Sequence, residues 1–278
     1  MTTPPPQSLT PSPQPPIITL TTDFGLADTF VAQMKGAIAG ISPGTRVIDS
    51  THEVPAGNIL SGAVALDSLV DAFPNGTIHV AVIDPGVGSG RAAVAVNTER
   101  FTLIGPDNGL FTLVLERYPP TAIVNLNDPA WHNPPVSPTF HGRDIFAPAS
   151  AHLAYGTPIN KLGEPTSTLV NLNIPQVEET PEGLTALVLS TDRFGNLITN
   201  LTRNQYDSWL VGTGCAGAVI GVKKRVVGPI KQTFADVNPG DPVAYFGSSG
   251  RLELAICNGS AWGELTKAIR QRVQIKPV

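Results

Sequence analysis

Apolar positions fall into two regimes along this chain. From residue 17 a β-branched run extends to residue 22, stops at Asp23-Phe24-Gly25, and predicts a first strand. Asp28 then stands as a candidate cap before Phe30, Val31, Met34, Ile38 and Ile41, which recur near helical spacing. A strand is expected over 46–49, and a helix over about 58–73 with Ile59, Ala63, Leu66, Leu69, Val70 and Phe73 on one face. Asn75-Gly76 turns the chain into a near-continuous apolar strand, 77–83, that ends at Asp84. This alternation predicts βαβ units and an α/β N-terminal domain with a largely parallel sheet. Further strands are expected over 92–97, 101–104 and 122–126, and a helix over about 144–154.

The second regime begins after a polar, proline-containing stretch, 171–183, the best linker candidate. Helical periodicity fades there, and short strands with glycine turns take over at 184–190, 218–222, 242–245 and 252–256. The expected organisation is an α/β domain over 17–175 and a smaller all-β domain over 183–278. Residues 1–16 are rich in proline, serine and threonine, without charge or an apolar block. They are expected to form a disordered tail, and they lack the basic start and apolar core of a secretory signal.

Composition narrows the function. Of 278 residues, 41% are hydrophobic and 14% charged, so real cores can form and a highly charged disordered chain is ruled out. No apolar run reaches the roughly 18 residues of a membrane-spanning helix, so no membrane partner is expected. A net charge of −4 gives no basic field, which speaks against nucleic acid as a partner. Two cysteines, Cys215 and Cys257, read as reduced core residues of a cytoplasmic protein, and five scattered histidines give no metal-ligand spacing. No metal is expected.

Two acids sit at strand ends, Asp23 and Asp84, and in open α/β sheets ligands collect beyond the carboxyl ends of strands. Both also suit plain turns, being followed by Phe-Gly and Pro-Gly. The run Gly86-Val87-Gly88-Ser89-Gly90 leads into a strand and not a helix, which disfavours a phosphate-binding loop, and no Walker lysine follows. His141-Gly142-Arg143-Asp144 precedes an apolar helix, with Asp144 as a possible cap and Arg143 as a carboxylate partner. No G-x-S-x-G elbow supports a serine hydrolase.

Six motifs in order carry a specific resemblance. They are Thr22-Asp23-Phe24-Gly25, Ile83-Asp84-Pro85-Gly86-Val87-Gly88, Gly105-Pro106-Asp107-Asn108-Gly109, Phe140-His141-Gly142-Arg143-Asp144, Asp192-Arg193-Phe194-Gly195-Asn196, and Ser248-Ser249-Gly250 through Asn258. The chain from residue 17 onward resembles the S-adenosyl-L-methionine (SAM) hydrolases, or SAM hydroxide adenosyltransferases, relatives of the fluorinating and chlorinating SAM enzymes. The resemblance implies an α/β domain followed by a barrel-like β domain, SAM as substrate, adenosine and methionine as products, and no cofactor. It also implies a homotrimer with sites at subunit interfaces. The catalytic trio it implies is Asp84, Arg91 and His141. Asp23 would hold the ribose hydroxyls; Asp192, Asn196 and Ser249 would meet the methionine amino and carboxylate groups, with Phe194 packed nearby. Backbone around Asn258 to Ser260 would read the adenine edge; the chain lacks the arginine that halogenating relatives carry near Ile256 or Cys257.

A sulfonium leaves as a neutral thioether, so no acid is required and the site must supply an aligned nucleophile at ribose C5′. Asp84 would accept from the attacking water, Arg91 would orient that carboxylate, and His141 would orient the water or relay its proton. Two other readings compete. A halogenase would use chloride or fluoride, but a carboxylate repels an anion; Gly142 resembles the small residue of the chlorinating relatives. A non-catalytic SAM or adenosine sensor would lack the intact trio.

Overall fold

A computed structural model describes residues 14–278, so the expected N-terminal tail lies outside the described residues except for its last three. The strands are β1 (Ile17–Thr22), β2 (Arg46–Thr51), β3 (Ile78–Val82), β4 (Ala93–Asn97), β5 (Thr102–Pro106), β6 (Ala122–Asn125), β7 (Glu164–Pro165), β8 (Glu178–Thr180), β9 (Gly183–Thr191), β10 (Leu197–Thr202), β11 (Ala218–Val222), β12 (Arg225–Lys231), β13 (Pro242–Phe246), β14 (Arg251–Ile256) and β15 (Arg272–Pro277). The main helices are α1 (Phe30–Ile41), α2 (Ile59–Leu69), α3 (Thr112–Arg117), α4 (Ala147–Ala154) and α5 (Arg203–Thr213). They group into two compact units.

The first unit runs to Gly57 and adds Ala72–Asp107 and Tyr118–Leu169. Its sheet has the order β2-β1-β3-β5-β4-β6-β7. The pairs β1–β2, β1–β3 and β3–β5 are parallel, whereas β4, β6 and β7 pair antiparallel, giving the expected α/β fold an antiparallel flank. Parallel strands buried on both faces need continuous apolar runs, and β3 is buried at all five positions. Thr22 pairs with Val82, so β1 and β3 end side by side. That register delivers Asp23 and Asp84 to one edge of the sheet.

Helix α1 lays Val31, Met34 and Ile38 against Ile18, Leu20, Val80 and Phe146. Full burial of each such side chain stabilises the fold by roughly 1.5–3 kcal/mol. Its N-cap is Thr29, not Asp28, and Thr29 makes no side-chain capping bond. The helix expected over 144–154 is two pieces, a π-helical turn at Gly142–Phe146 and then α4.

His79 on β3 is fully buried between the rings of Phe73 and Phe101, with Nδ1 2.8 Å from Thr19 Oγ1 and Nε2 without a partner among the described residues. Burial, helped by the nearby Arg100 charge, pushes its pKa down to about 4. The folded state therefore prefers neutral His79, whose ordinary value is near 6.5. Its contribution is complete above that value and is lost as pH falls from about 6.5 to 4. The expected loss is on the order of 3 kcal/mol. A His79→Gln variant should flatten that limb of a denaturation-midpoint series between pH 7 and 4; an unchanged limb would remove His79 as its source.

The second unit comprises Asn58–Asp71, Asn108–Arg117 and Val170–Val278. Seven strands close into a barrel in the order β9-β10-β14-β13-β12-β11-β15, returning to β9, with β8 added alongside β9. The expected all-β, barrel-like domain is thus a closed barrel. Alternate residues point inward, Leu252, Leu254 and Ile256 from β14 and Val273 and Ile275 from β15. The sequence reading of this region lacks α5, which carries a capping box between Thr202 and Gln205 and ends at Gly214. Helices α2 and α3 belong to this unit, where Ala63, Val64 and Leu113 pack with Leu189. On α2 itself Asp67, 3% exposed, takes hydrogen bonds from Arg251 (2.7 Å) and from Arg117 at the end of α3 (2.8 Å). No helix among the described residues is long and apolar enough to cross a membrane. Cys257 is buried and Cys215 half-buried, both as free thiols.

Candidate active site

Beyond β3 the chain makes two tight turns, closed by Val87 N–H to Asp84 O and Ser89 N–H to Gly86 O, before β4 begins. These turns bring Arg91 back onto Asp84. The Arg91 Nε–H donates to both carboxylate oxygens at 3.0 Å, and Nη2 donates to Oδ2. Both side chains are nearly buried, 9% and 4% exposed. Fork-shaped donation of this kind fixes a carboxylate in one orientation. The glycine-rich run is therefore the hinge of an ion pair. Gly88 has φ +79°, and a Cβ there would stand 2.7 Å from Pro138 O, so the backbone requires glycine.

Arg91 Nη2 also lies 2.8 Å from His141 Nδ1. A guanidinium only donates, so Nδ1 must accept, and the ring proton of neutral His141 resides on Nε2. Burial first, and the Arg91 charge second, hold the His141 pKa below its ordinary value. At neutral pH the imidazole thus offers one donor, Nε2–H.

His141 is held by the segment that follows it. Asp144, fully buried, accepts from Arg143 Nε at 2.7 Å and Ser137 N–H at 2.9 Å. Burial works against its charge, but these hydrogen bonds outweigh it and lower the carboxyl's pKa. Arg143 also stacks over Phe140 at 5.0 Å. Asp144 therefore braces the 137–144 loop and does not cap a helix, while Arg143 pairs with a carboxylate as expected.

A hollow of about 180 Å³ opens here. Asp23, Asp84 and His141 supply its polar wall; Phe24, Phe30, Phe140, Val82 and Val87 supply the apolar one. Asp23 keeps one oxygen on Gly57 N–H at 2.8 Å. The three rings pack edge to face, with centroids 5.3–6.0 Å apart. Phe24 and Phe140 adjoin Asp23 and His141 in the chain, which is the sequence signal for this apolar wall.

The second unit gathers another group. After β9 the Asp192 carboxylate accepts from Phe194 N–H (2.9 Å), Asn196 N–H (2.8 Å) and Asn196 Nδ2 (2.7 Å), closing a turn that leaves Phe194 76% exposed. Phe194, Asn196, Phe234, Asn258 and Ser260 line an open groove of about 700 Å³. Asn258 holds φ +56°, a conformation that asparagine tolerates. Ser249 is not among the residues lining this groove, and its buried Oγ has no hydrogen-bond partner among the described residues. Glu253, a residue outside the expected site set, accepts from Tyr245 O–H at 2.8 Å. Burial, and secondarily the charge of Asp192, raise the Glu253 pKa. Among the described residues no group of three histidine, cysteine or acidic side chains is arranged to hold a metal ion.

An α/β unit with a carboxylate, a guanidinium and an imidazole converging at its strand ends, in one chain with a closed barrel, defines a narrow class. The SAM hydroxide adenosyltransferase N-terminal domain matches residues 18–163, and the C-terminal domain of the same family matches 186–274. A relative named (R)-S-adenosyl-L-methionine hydrolase, from Thermus thermophilus, is 43% identical over 86% of this chain and 91% of that protein. A fluorinase from Actinopolyspora mzabensis is 31% identical over 86% of this chain and 90% of its own. A crystal structure of a conserved protein from Thermotoga maritima superposes with a TM-score of 0.86 at 30% identity, covering 93% of this chain and 99% of that one. The chain belongs to the SAM hydroxide adenosyltransferase family.

Proposed function

We propose that this protein hydrolyses SAM to adenosine and L-methionine by in-line attack of water on ribose C5′, with the R configuration at sulfur that its relatives' names specify. The observation that carries the reading is Asp84, oriented by Arg91 and flanked by His141, at the polar wall of an otherwise apolar hollow. In the reaction water oxygen bonds to C5′, the C5′–S bond breaks, and its electron pair stays on sulfur, giving a neutral thioether. One water proton must leave. Arg91 occupies His141 Nδ1, so the imidazole donates through Nε2–H and orients the water's lone pair. Asp84 is then the acceptor for the water proton, and the roles of the two groups separate. The apolar wall strips solvent from the nucleophile, which strengthens each of these contacts. No cofactor enters this scheme, because the sulfonium is already an activated electrophile.

In the same reading Asp23 holds the ribose diol, Asp192, Asn196 and Ser249 meet the methionine end beside Phe194, and the chain near Asn258 meets adenine. The deciding experiment supplies SAM to the purified protein in ¹⁸O-labelled water, with and without excess chloride. Label in the adenosine 5′-hydroxyl, unaffected by chloride, is the expected result. A 5′-chloro product would make the protein a halogenase, and binding without turnover would make it a sensor.

The active form is proposed to be a cytoplasmic homotrimer, in which groups from one chain's α/β unit and another chain's barrel unit complete each site. Mixing inactive Asp84→Asn chains with chains inactivated at Asn196 should restore activity once mixed trimers form. Full activity in a monomer by light scattering would overturn this assembly.

A further inference from the structure

A line of polar groups runs behind Asp23 that the reaction scheme does not use. Lys35 Nζ lies 2.6 Å from Asp49 Oδ2, and Asp49 Oδ1 lies 3.1 Å from His52 Nε2, close enough for an ion pair though off the line of a good hydrogen bond. On its other side, His52 Nδ1 lies 2.9 Å from Thr22 Oγ1. Thr22 Oγ1 in turn accepts from Phe24 N–H at 3.3 Å. Both His52 and Thr22 are buried, 3% and 0% exposed. The backbone of His52 acts as well, its carbonyl accepting from Gly25 N–H at 2.8 Å.

The donors and acceptors close in one arrangement. A ring proton on Nε2 faces Asp49, so Nδ1 accepts from the Thr22 hydroxyl, and a lone pair of that hydroxyl is left for Phe24 N–H. Burial opposes the charge on Asp49, but the hydrogen bond from Lys35 and the nearness of His52 outweigh it and lower its pKa. Asp23 is therefore clamped from both sides by one histidine, through Thr22 to Phe24 and directly to Gly25. Among the described residues, its own carboxylate is tied only to Gly57 N–H.

We propose that His52, polarised by Asp49 and acting through Thr22, is a positioning residue that sets the aim of Asp23 toward the ribose hydroxyls. The proposal rests on the reading of Asp23 as the ribose-holding group. His52 touches neither the hollow nor the attacking water, so its loss should be felt in binding and not in the chemical step.

The test is a double-mutant cycle on adenosine affinity by calorimetry, with SAM kinetics in parallel. His52→Ala should raise the adenosine Kd and the KM for SAM at least tenfold, with kcat within about threefold of wild type. His52→Asn, whose side-chain amide can stand where Nδ1 stands, should recover most of that affinity. In an Asp23→Ala background the His52→Ala penalty should vanish, because there is no carboxylate left to aim. A penalty that persists there means general loosening of the strand end and overturns the proposal, as does a folded His52→Ala protein with wild-type affinity. If Asp23→Ala alone leaves adenosine affinity unchanged, the ribose reading of Asp23 fails instead, and the proposal falls with it for that separate reason. Should His52→Ala fail to fold by circular dichroism, Thr22→Val removes the same hydroxyl at nearly constant volume and is expected to give the same tenfold split. Unchanged affinity in that variant overturns the proposal.

Discussion

Replacing Asp84 by asparagine is expected to lower kcat by about 10²–10⁴-fold while leaving SAM and adenosine affinity within a few-fold of wild type. Asparagine is the informative variant because Arg91 is nearly buried and donates to both Asp84 oxygens. An alanine there strands a desolvated guanidinium and confuses lost chemistry with lost stability. The amide oxygen still accepts one bond from Arg91, but it cannot take a proton from water. Stopped assays should therefore show bound, unconsumed SAM. Loss of binding in step with loss of turnover would make Asp84 a recognition group and refute the division of roles with His141.

Asp67→Ala should be the most destabilising single substitution in the second unit. Asp67 lies 2.7 Å from Arg251 Nη2 and 2.8 Å from Arg117 Nη1. Arg251 is 7% exposed, so removing its partner leaves a buried cation uncompensated, a loss of about 3–5 kcal/mol. For a unit of this size that corresponds to a fall in Tm on the order of 10 °C. Arg117→Met should cost far less, since that side chain is 39% exposed and solvent screens the pair. Calorimetric scans of both variants give the comparison; similar shifts for the two would mean that burial of Arg251 is not what makes Asp67 matter.

How much of this molecule the sequence disclosed depended on how each element is buried. Strands β1 and β3 sit between layers, and their unbroken apolar runs read directly as strands ending at Asp23 and Asp84. On β12 and β15 only one face is buried, so β12, with Gly228 and Pro229 inside it, and β15, with alternate exposed residues, give no continuous signal. Helix α5 buries little beyond Tyr206 and Trp209, which leaves too narrow an apolar stripe to announce a helix; its capping box was the clearer sign. At the site, Asp84 and Arg91 are seven residues apart, but His141 is fifty further on, and spacing alone could not join them. The family resemblance implied all three together, Asp84 and His141 inside its motifs and Arg91 just beyond one. What neither route supplied was the rear support: Asp144 under His141, and Asp49 with His52 behind Asp23. Asp144 and Asp49 have near partners in Arg143 and His52, but what they steady is set by the fold, and His52 reaches Thr22 thirty residues away, a pairing that no linear pattern marks.

Closure of the barrel also decides how each unit comes apart. Each of the seven ring strands is bonded on both sides, so none can peel away without breaking two ladders at once. The open sheet has true margins instead, at β2 and at the two-residue β7, whose Pro165 contributes no amide donor. Fraying therefore begins at the β7 margin, and amides of β6 should exchange with solvent through small openings. Those at the heart of β13 and β14 should exchange only when the whole barrel unfolds. The margin nearest β2 is the one that bears Asp49 and its lysine, so charge there both steadies the strand end and discourages edge-to-edge pairing with another molecule.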